Sequence, residues 1–317
     1  MLNYFKVLGR RAAHAFLTVA SIMVPVMFMV YVASRLGLVQ RFGDALAPAM
    51  AVLGLPADTG IIWATTILTG IYGGIAVIAA LAGDLHLNAA QMSALGAMMM
   101  FAHNLPTEQA IVRCAGASAL VTGGLRLFVG AIYGAAVAWG CKLAGWFQEP
   151  VSLAWMQDVG GIQAGPPGLW VWLLSTARSM LLIWVIITAL IMLLDGFERL
   201  GITRFLTRVM EPLLRLTGVD AQAAPLTTAG MLLGLTYGGA LIIEGSARNR
   251  FSRRTLLLAL CWLSLFHGLI EDTLLIAALG ANLWIILVLR AIVTLGVMIA
   301  LAALTRPQTR WGRKLIA

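Results

Sequence analysis

The chain has 317 residues, of which 61% are hydrophobic and only 11% charged. Its mean hydropathy is +0.92, whereas soluble domains carry about 25% charged residues, so a sizeable soluble domain is excluded. The formal net charge of +9 then reflects Lys and Arg held at the cytoplasmic face of a membrane rather than a nucleic-acid partner.

The first predicted element lies in "MLNYFKVLGRRAAHAFLTVASIMVPVMFMVYVAS". Its basic start and apolar run are shared with signal peptides, but the run is too long for a typical apolar core of one, and it reads as a membrane span. Next comes an apolar segment centred on "IYGG", between "PADTG" and "GDLHLN". The third element carries "AHNLPTEQ" at 102–109, where Pro106 lacks an N–H and predicts a broken helix. A last span contains Arg126. The stretch "WFQEPVSLAWMQDVGGIQAGPPG" is rich in Gly and Pro and reads as an exposed loop. The same succession follows: a span, a segment around "TYGG", "FHGLIEDT" at 266–273, a last span with Arg290, and a basic tail. The expected organisation is a first unit over 1–145, a periplasmic linker over 146–177, and a second unit over 178–317.

An internal repeat underlies this succession. At an offset of about 164 residues, Pro48 falls on Pro212, Gly54 on Gly218, His103 on His267, Gly116 on Gly280 and Arg126 on Arg290. Aligning Tyr72 with Tyr237 and their glycine pairs requires a gap of one residue. Repeats of this kind are a known construction of secondary transporters.

Charge sets the expected topology. Basic residues cluster around Lys6–Arg11, Arg199–Arg215, Arg248–Arg254 and Arg306–Lys314, and the positive-inside rule makes all four cytoplasmic. The linker is poor in basic residues and is expected outside. Both termini are then cytoplasmic, each unit crosses an odd number of times, and the units have opposite orientation. The segment Ala223–Gly245 lies between two arginine clusters that both belong in the cytoplasm. A re-entrant hairpin resolves this, because two legs of about 10 residues reach about 15 Å, half the hydrocarbon core. Its tip is expected at Gly238 and Gly239, and that of the first unit at Gly73 and Gly74. The predicted fold is an all-α polytopic membrane protein of two inverted repeats, each with three transmembrane helices, one of them broken, and a re-entrant hairpin.

Few polar residues remain inside apolar segments. They are expensive there and tend to face a cavity and to pair. His103, Asn104 and Glu108 occupy one predicted break, and His267, Glu271 and Asp272 the other. The acids also stand where a carboxylate can simply cap the second half-helix. Arg126 and Arg290 either pair with these acids or bind an anionic group. Arg113 is expected as a cytoplasmic-end anchor or a partner of Glu108. Tyr72 and Tyr237 either bond substrate or cap the hairpin turns. Glu244, matched by Ala79, is a coupling-ion ligand or a partner of Arg290. The cysteines Cys114, Cys141 and Cys261 lack metal-type spacing and read as packing thiols.

The "HGLIEDT" and "HNLPTE" segments, with the "YGG" hairpin tips, resemble the Gate-domain family, also called nucleoside recognition domain proteins. The resemblance covers nearly the whole chain as two Gate units. It implies a relation to the fold of concentrative nucleoside transporters, with hairpins and unwound helices enclosing a midplane site. The sodium- and nucleoside-binding motifs of those transporters have no clear copy here.

These readings favour an ion- or proton-coupled secondary transporter of a small polar or anionic solute in the bacterial cytoplasmic (inner) membrane. The alternatives are a divalent metal ion permease, in which two histidines and several carboxylates suit a first-row metal, and a non-transporting scaffold or partner subunit. No nucleophile–base pair points to an enzyme. No cofactor is expected beyond a coupling ion, sodium or proton, and the expected partners are the lipid bilayer, a small-molecule or ion substrate and a second copy of the chain.

Overall fold

The computed structural model describes residues 2–153, 156, 169–235, 238–239, 242–243 and 251–306. Every regular element among them is helical. Helix α1 (Leu2–Arg35) leads through a left-handed Gly37 into α2 (Leu38–Val52). Helices α3 (Thr59–Thr69) and α4 (Ile71–Leu81) follow, then α5 (Ala89–Phe101), α6 (Leu105–Cys114) and α7 (Ala119–Ala144). The second half runs through α8 (Leu169–Arg199), α9 (Ile202–Leu216), α10 (Ala224–Leu233), α11 (Arg253–Phe266) and α12 (Glu271–Ala278). A π-helical turn at Trp284–Leu289 then runs into α13 (Arg290–Leu304).

The two halves place their turns at the same spacing. Positive φ angles occur at Gly37 and Gly201, Gly54 and Gly218, Gly70 and Gly234, Asn104 and Gly268, and Gly116 and Gly280. Each pair is separated by 164 residues, the His103–His267 spacing. Helix α9 starts 164 residues after α2, as α11 does after α5. The short helices α2 and α9 were not expected as separate elements. Each is divided from the preceding helix by a left-handed glycine, a conformation other residues adopt at a cost.

Among the described residues, three helical stretches are long and apolar enough to cross a membrane: Ala119–Ala144, Trp284–Leu304, and Arg253–Ala278 taken through its break. Helix α7 presents Leu120, Phe128, Ile132 and Leu143 outward, and α13 presents Ile292 and Ile299. Such continuous apolar exposure is unusual for a soluble surface and suits contact with hydrocarbon. By contrast α5 and α11 are buried along almost their whole length. Asn88 and Gln91 form a capping box at the start of α5, and Ser252 caps α11. "MMMF" at 98–101 packs in this core as ordinary apolar filling.

The chain turns between α3 and α4 at Gly70, with φ 95°, and leaves α10 at Gly234, with φ 97°. These turns lie upstream of the expected tips. Gly73, Gly74, Gly238 and Gly239 instead allow close packing after the turn. A Cβ on Gly238 would lie 2.4 Å from the Gly230 Cα, and one on Gly74 2.0 Å from the Thr66 Oγ1. Gly74 N–H donates to the Gly70 carbonyl and Gly238 N–H to that of Gly234. Gly74 therefore corresponds to Gly238, with no gap in the 164-residue register. The shared "YGG" letters are offset by one residue against the backbone.

Pro106 also acts differently from expectation. The chain breaks before it, and Pro106 sits in the first turn of α6, where a missing N–H costs little.

Candidate functional site

Helices α5 and α11 both end inside the core, at Phe101 and Phe266, and the chain resumes as a helix only after a left-handed residue. In the first half that residue is Asn104, with φ 45°; in the second it is Gly268, with φ 64°. Asn visits this region more readily than most side chains. The breaks leave carbonyl oxygens without helical partners. Buried arginines satisfy some of them. Arg126 donates from Nε to the Phe101 carbonyl at 2.6 Å and from Nη2 to the His103 carbonyl at 3.0 Å. Arg290 donates from Nη2 to the Leu265 carbonyl at 2.9 Å and more weakly to those of Met100 and His267. Its guanidinium lies over the rings of Phe101 and Phe266, 5.3 Å and 5.0 Å from their centroids.

The two histidines meet at the centre. His103 Nε2 and His267 Nε2 are 2.8 Å apart, and both side chains are buried. The far side of each ring is fixed by backbone. His103 Nδ1 lies 3.0 Å from the Met99 carbonyl, and His267 Nδ1 2.6 Å from the Leu263 carbonyl. A carbonyl only accepts, so each Nδ1 carries the hydrogen, and a ring without a second hydrogen presents its Nε2 lone pair inward.

Carboxylates complete the cluster. Glu108 stands in the first turn of α6. Its Oε2 accepts from Arg126 Nη1, while Oε1 lies 3.4 Å from His103 Nε2 and 3.2 Å from His267 Nε2. Asp272, in the first turn of α12, places Oδ2 4.0 Å from His103 Nε2. Glu271 faces elsewhere: the Tyr72 hydroxyl donates to its Oε1 at 2.7 Å, joining the first-half hairpin to the second-half break. Helices α3 and α10 are tied to the breaks through backbone as well, by Asn104 N–H to the Thr66 carbonyl and Leu269 N–H to that of Met231.

The structure thus gathers His103, Glu108, His267 and Asp272 around one point. It puts Tyr72 and Glu271 beside that point and assigns the arginines to the breaks. Glu108 pairs with Arg126, while Arg113 is exposed. Arg290 makes no hydrogen bond to an acid among the described residues; its Nε and Nη1 have no partner there. Arg126 is engaged by backbone and Glu108, whereas Arg290 is engaged, among those residues, by backbone carbonyls through Nη2 alone. Asn104 supplies a backbone conformation. Tyr237 and Glu244 lie outside the described residues. Cys141 and Cys261 are buried and Cys114 exposed, and all three are free thiols. Sequence reasoning missed the turn glycines Gly70 and Gly234, although both match at the repeat spacing. It also missed the Met99 and Leu263 carbonyls, which have no signature in the side-chain sequence.

No family model matches the chain. No solved structure matches it either. The chain is similar to the uncharacterized membrane protein YvoD of Bacillus subtilis (strain 168), at 24% identity over 297 residues, covering 90% of this chain and 89% of that protein. Together with its apolar helices, this identifies a helical membrane protein.

Proposed function

We propose that the protein is a secondary transporter of the bacterial cytoplasmic membrane, in which the histidine pair handles the coupling cation for a small polar solute. The observation that carries this reading is the 2.8 Å approach of His103 and His267 from the broken helices of the two halves. Polar groups enclosed in an apolar bundle are costly and are commonly retained for transport or proton relay.

On this reading the halves are inverted repeats with cytoplasmic termini, and their hairpins enter the membrane from opposite sides. The recurring left-handed turns support the repeat. Helices α3 and α4 have 11 residues each, about 16 Å of helix against a core of about 30 Å, which supports a hairpin that does not cross. Helix α9, with Arg208, Glu211 and Arg215 on a short amphipathic segment, suits the cytoplasmic interface. The Gate-domain resemblance points to the same architecture. Pairing of Arg126 with Glu108 leaves Arg290, among the described residues, as the buried guanidinium with donors to spare for an anionic solute.

The test is reconstitution into lipid vesicles under an imposed pH, sodium or divalent-metal gradient, with a panel of nucleosides, organic acids and divalent metals outside. Gradient-dependent uptake of one class is expected, with loss in a His267→Ala protein that inserts normally. Folded protein that moves no solute and no ion would instead be a scaffold or partner subunit.

A further inference from the structure

We infer that His103, His267, Glu108 and Asp272 form a binding site for a first-row divalent metal ion, the cation this centre handles. The inference rests on the reading of the centre as a cation site and names the class of cation.

The argument starts from lone pairs. Because both Nδ1 atoms donate to carbonyls, the Nε2 atoms that face each other at 2.8 Å are both acceptors unless a further cation, a proton or a metal, is bound there. Two bare acceptors at that distance repel, so a cation belongs between or beside them. A shared proton would use two acceptors. Here a third, Glu108 Oε1, stands within 3.4 Å of both nitrogens. A fourth, Asp272 Oδ2, lies 4.0 Å from His103 Nε2. The ligand atoms of His103, His267 and Asp272 all fall within 4.8 Å of one another. Bonds of 2.0–2.1 Å to a tetrahedral metal separate its ligand atoms by about 3.3 Å. The Glu108 edges already have that length. The histidine edge needs to open by about half an ångström on the same scale, and Asp272 needs a larger inward movement, about 0.7 Å or more, to join the shell.

The outer shell is that of a metal site too. Each imidazole is oriented through Nδ1 by a backbone carbonyl, and the far oxygen of Glu108 is held by Arg126. Such partners fix ring orientation and ligand basicity. Two imidazoles with carboxylates suit zinc, iron, cobalt, nickel or manganese. Magnesium and calcium favour oxygen ligands. The ligands come from both breaks, so metal binding would also clamp the two halves together.

The experiment is titration of purified full-length protein in detergent with Co²⁺, read by visible absorption, followed by X-ray absorption on the stoichiometric complex. One equivalent is expected to bind with the intense spectrum of a four-coordinate ion and two imidazole nitrogens at about 2.0–2.1 Å. Zn²⁺ should displace it and Mg²⁺ should not. His267→Ala and His103→Ala should each weaken binding by more than about 100-fold, the upper end for outer-shell partners. The spectroscopy needs only the wild-type protein, so a poorly folding variant leaves the test intact. Absence of stoichiometric binding, an all-oxygen shell, or full affinity in a folded His267→Ala protein would overturn the site. Protein that moves solute or protons but binds no metal overturns this inference and leaves transport standing. Protein that binds Co²⁺ through both histidines but transports nothing has the reverse meaning.

Discussion

Asn104 and Gly268 occupy the same left-handed backbone position in the two halves, each one residue after a buried histidine. The position ends one half-helix and aims the next, so both breaks depend on a residue that tolerates φ values of 45° and 64°. Asn104→Gly should therefore fold and bind ligand as the native protein does. Asn104→Val should lower thermal stability, since a β-branched residue is strained there. If Asn104→Gly folds normally but loses ligand binding, the side chain is a ligand and not a conformational device.

Arg126 and Arg290 should differ in cost. Arg126→Gln leaves a buried Glu108 without its charge partner as well as two carbonyls without a donor. Breaking a buried pair from one side costs about 3–5 kcal/mol, so most of the folded yield should be lost. Arg290→Gln removes carbonyl bonds and ring contacts but no hydrogen-bonded acid. Its thermal midpoint in detergent should fall less. Equal losses would show that the two guanidinium groups do the same job.

Tyr72→Phe removes one hydroxyl donor from Glu271 and nothing else that the structure records for that side chain. A hydrogen bond to a charged group is worth about 1.5–3 kcal/mol. The variant should fold with reduced stability and altered transport. Stability unchanged in a thermal scan would mean that Glu271 finds another donor.

The hairpin glycines make a steric prediction. A Cβ on Gly238 would lie 2.4 Å from the Gly230 Cα, and one on Gly239 would lie 2.4 Å from Ile111 Cγ2. Gly238→Val should abolish folded protein, because the obstacle is backbone that cannot rotate aside. Gly239→Val should be milder, because Ile111 can shift. Gly196→Ala, which meets nothing within 4 Å, serves as the tolerated control. Fluorescence-detected size exclusion ranks all three.

Topology can be mapped with single cysteines. Labelling from the periplasmic side is expected at positions 84 and 158, and only after permeabilisation at 204, 250 and 310. Periplasmic labelling at 250 would make the second "YGG" segment a full crossing and remove the hairpin.

Composition alone determined the membrane class, since no arrangement of this chain yields a large soluble core. The repeat spacing was legible because Pro48/Pro212, His103/His267 and Arg126/Arg290 survive as letters. The breaks at His103 and His267 were legible too, because polar residues interrupt apolar helices there. Tertiary structure decided the rest. Gly70 and Gly234 turn the chain while the more conspicuous "YGG" glycines only pack, a distinction set by φ and by neighbouring helices. Arg126 and Arg290 meet backbone carbonyls, and a carbonyl is the same at every position of a sequence. Glu108 faces both histidines while Glu271 turns to Tyr72. Local pattern fixes which residues lie near a break. The packing of α5 and α11 against each other fixes which of their atoms come within bonding distance.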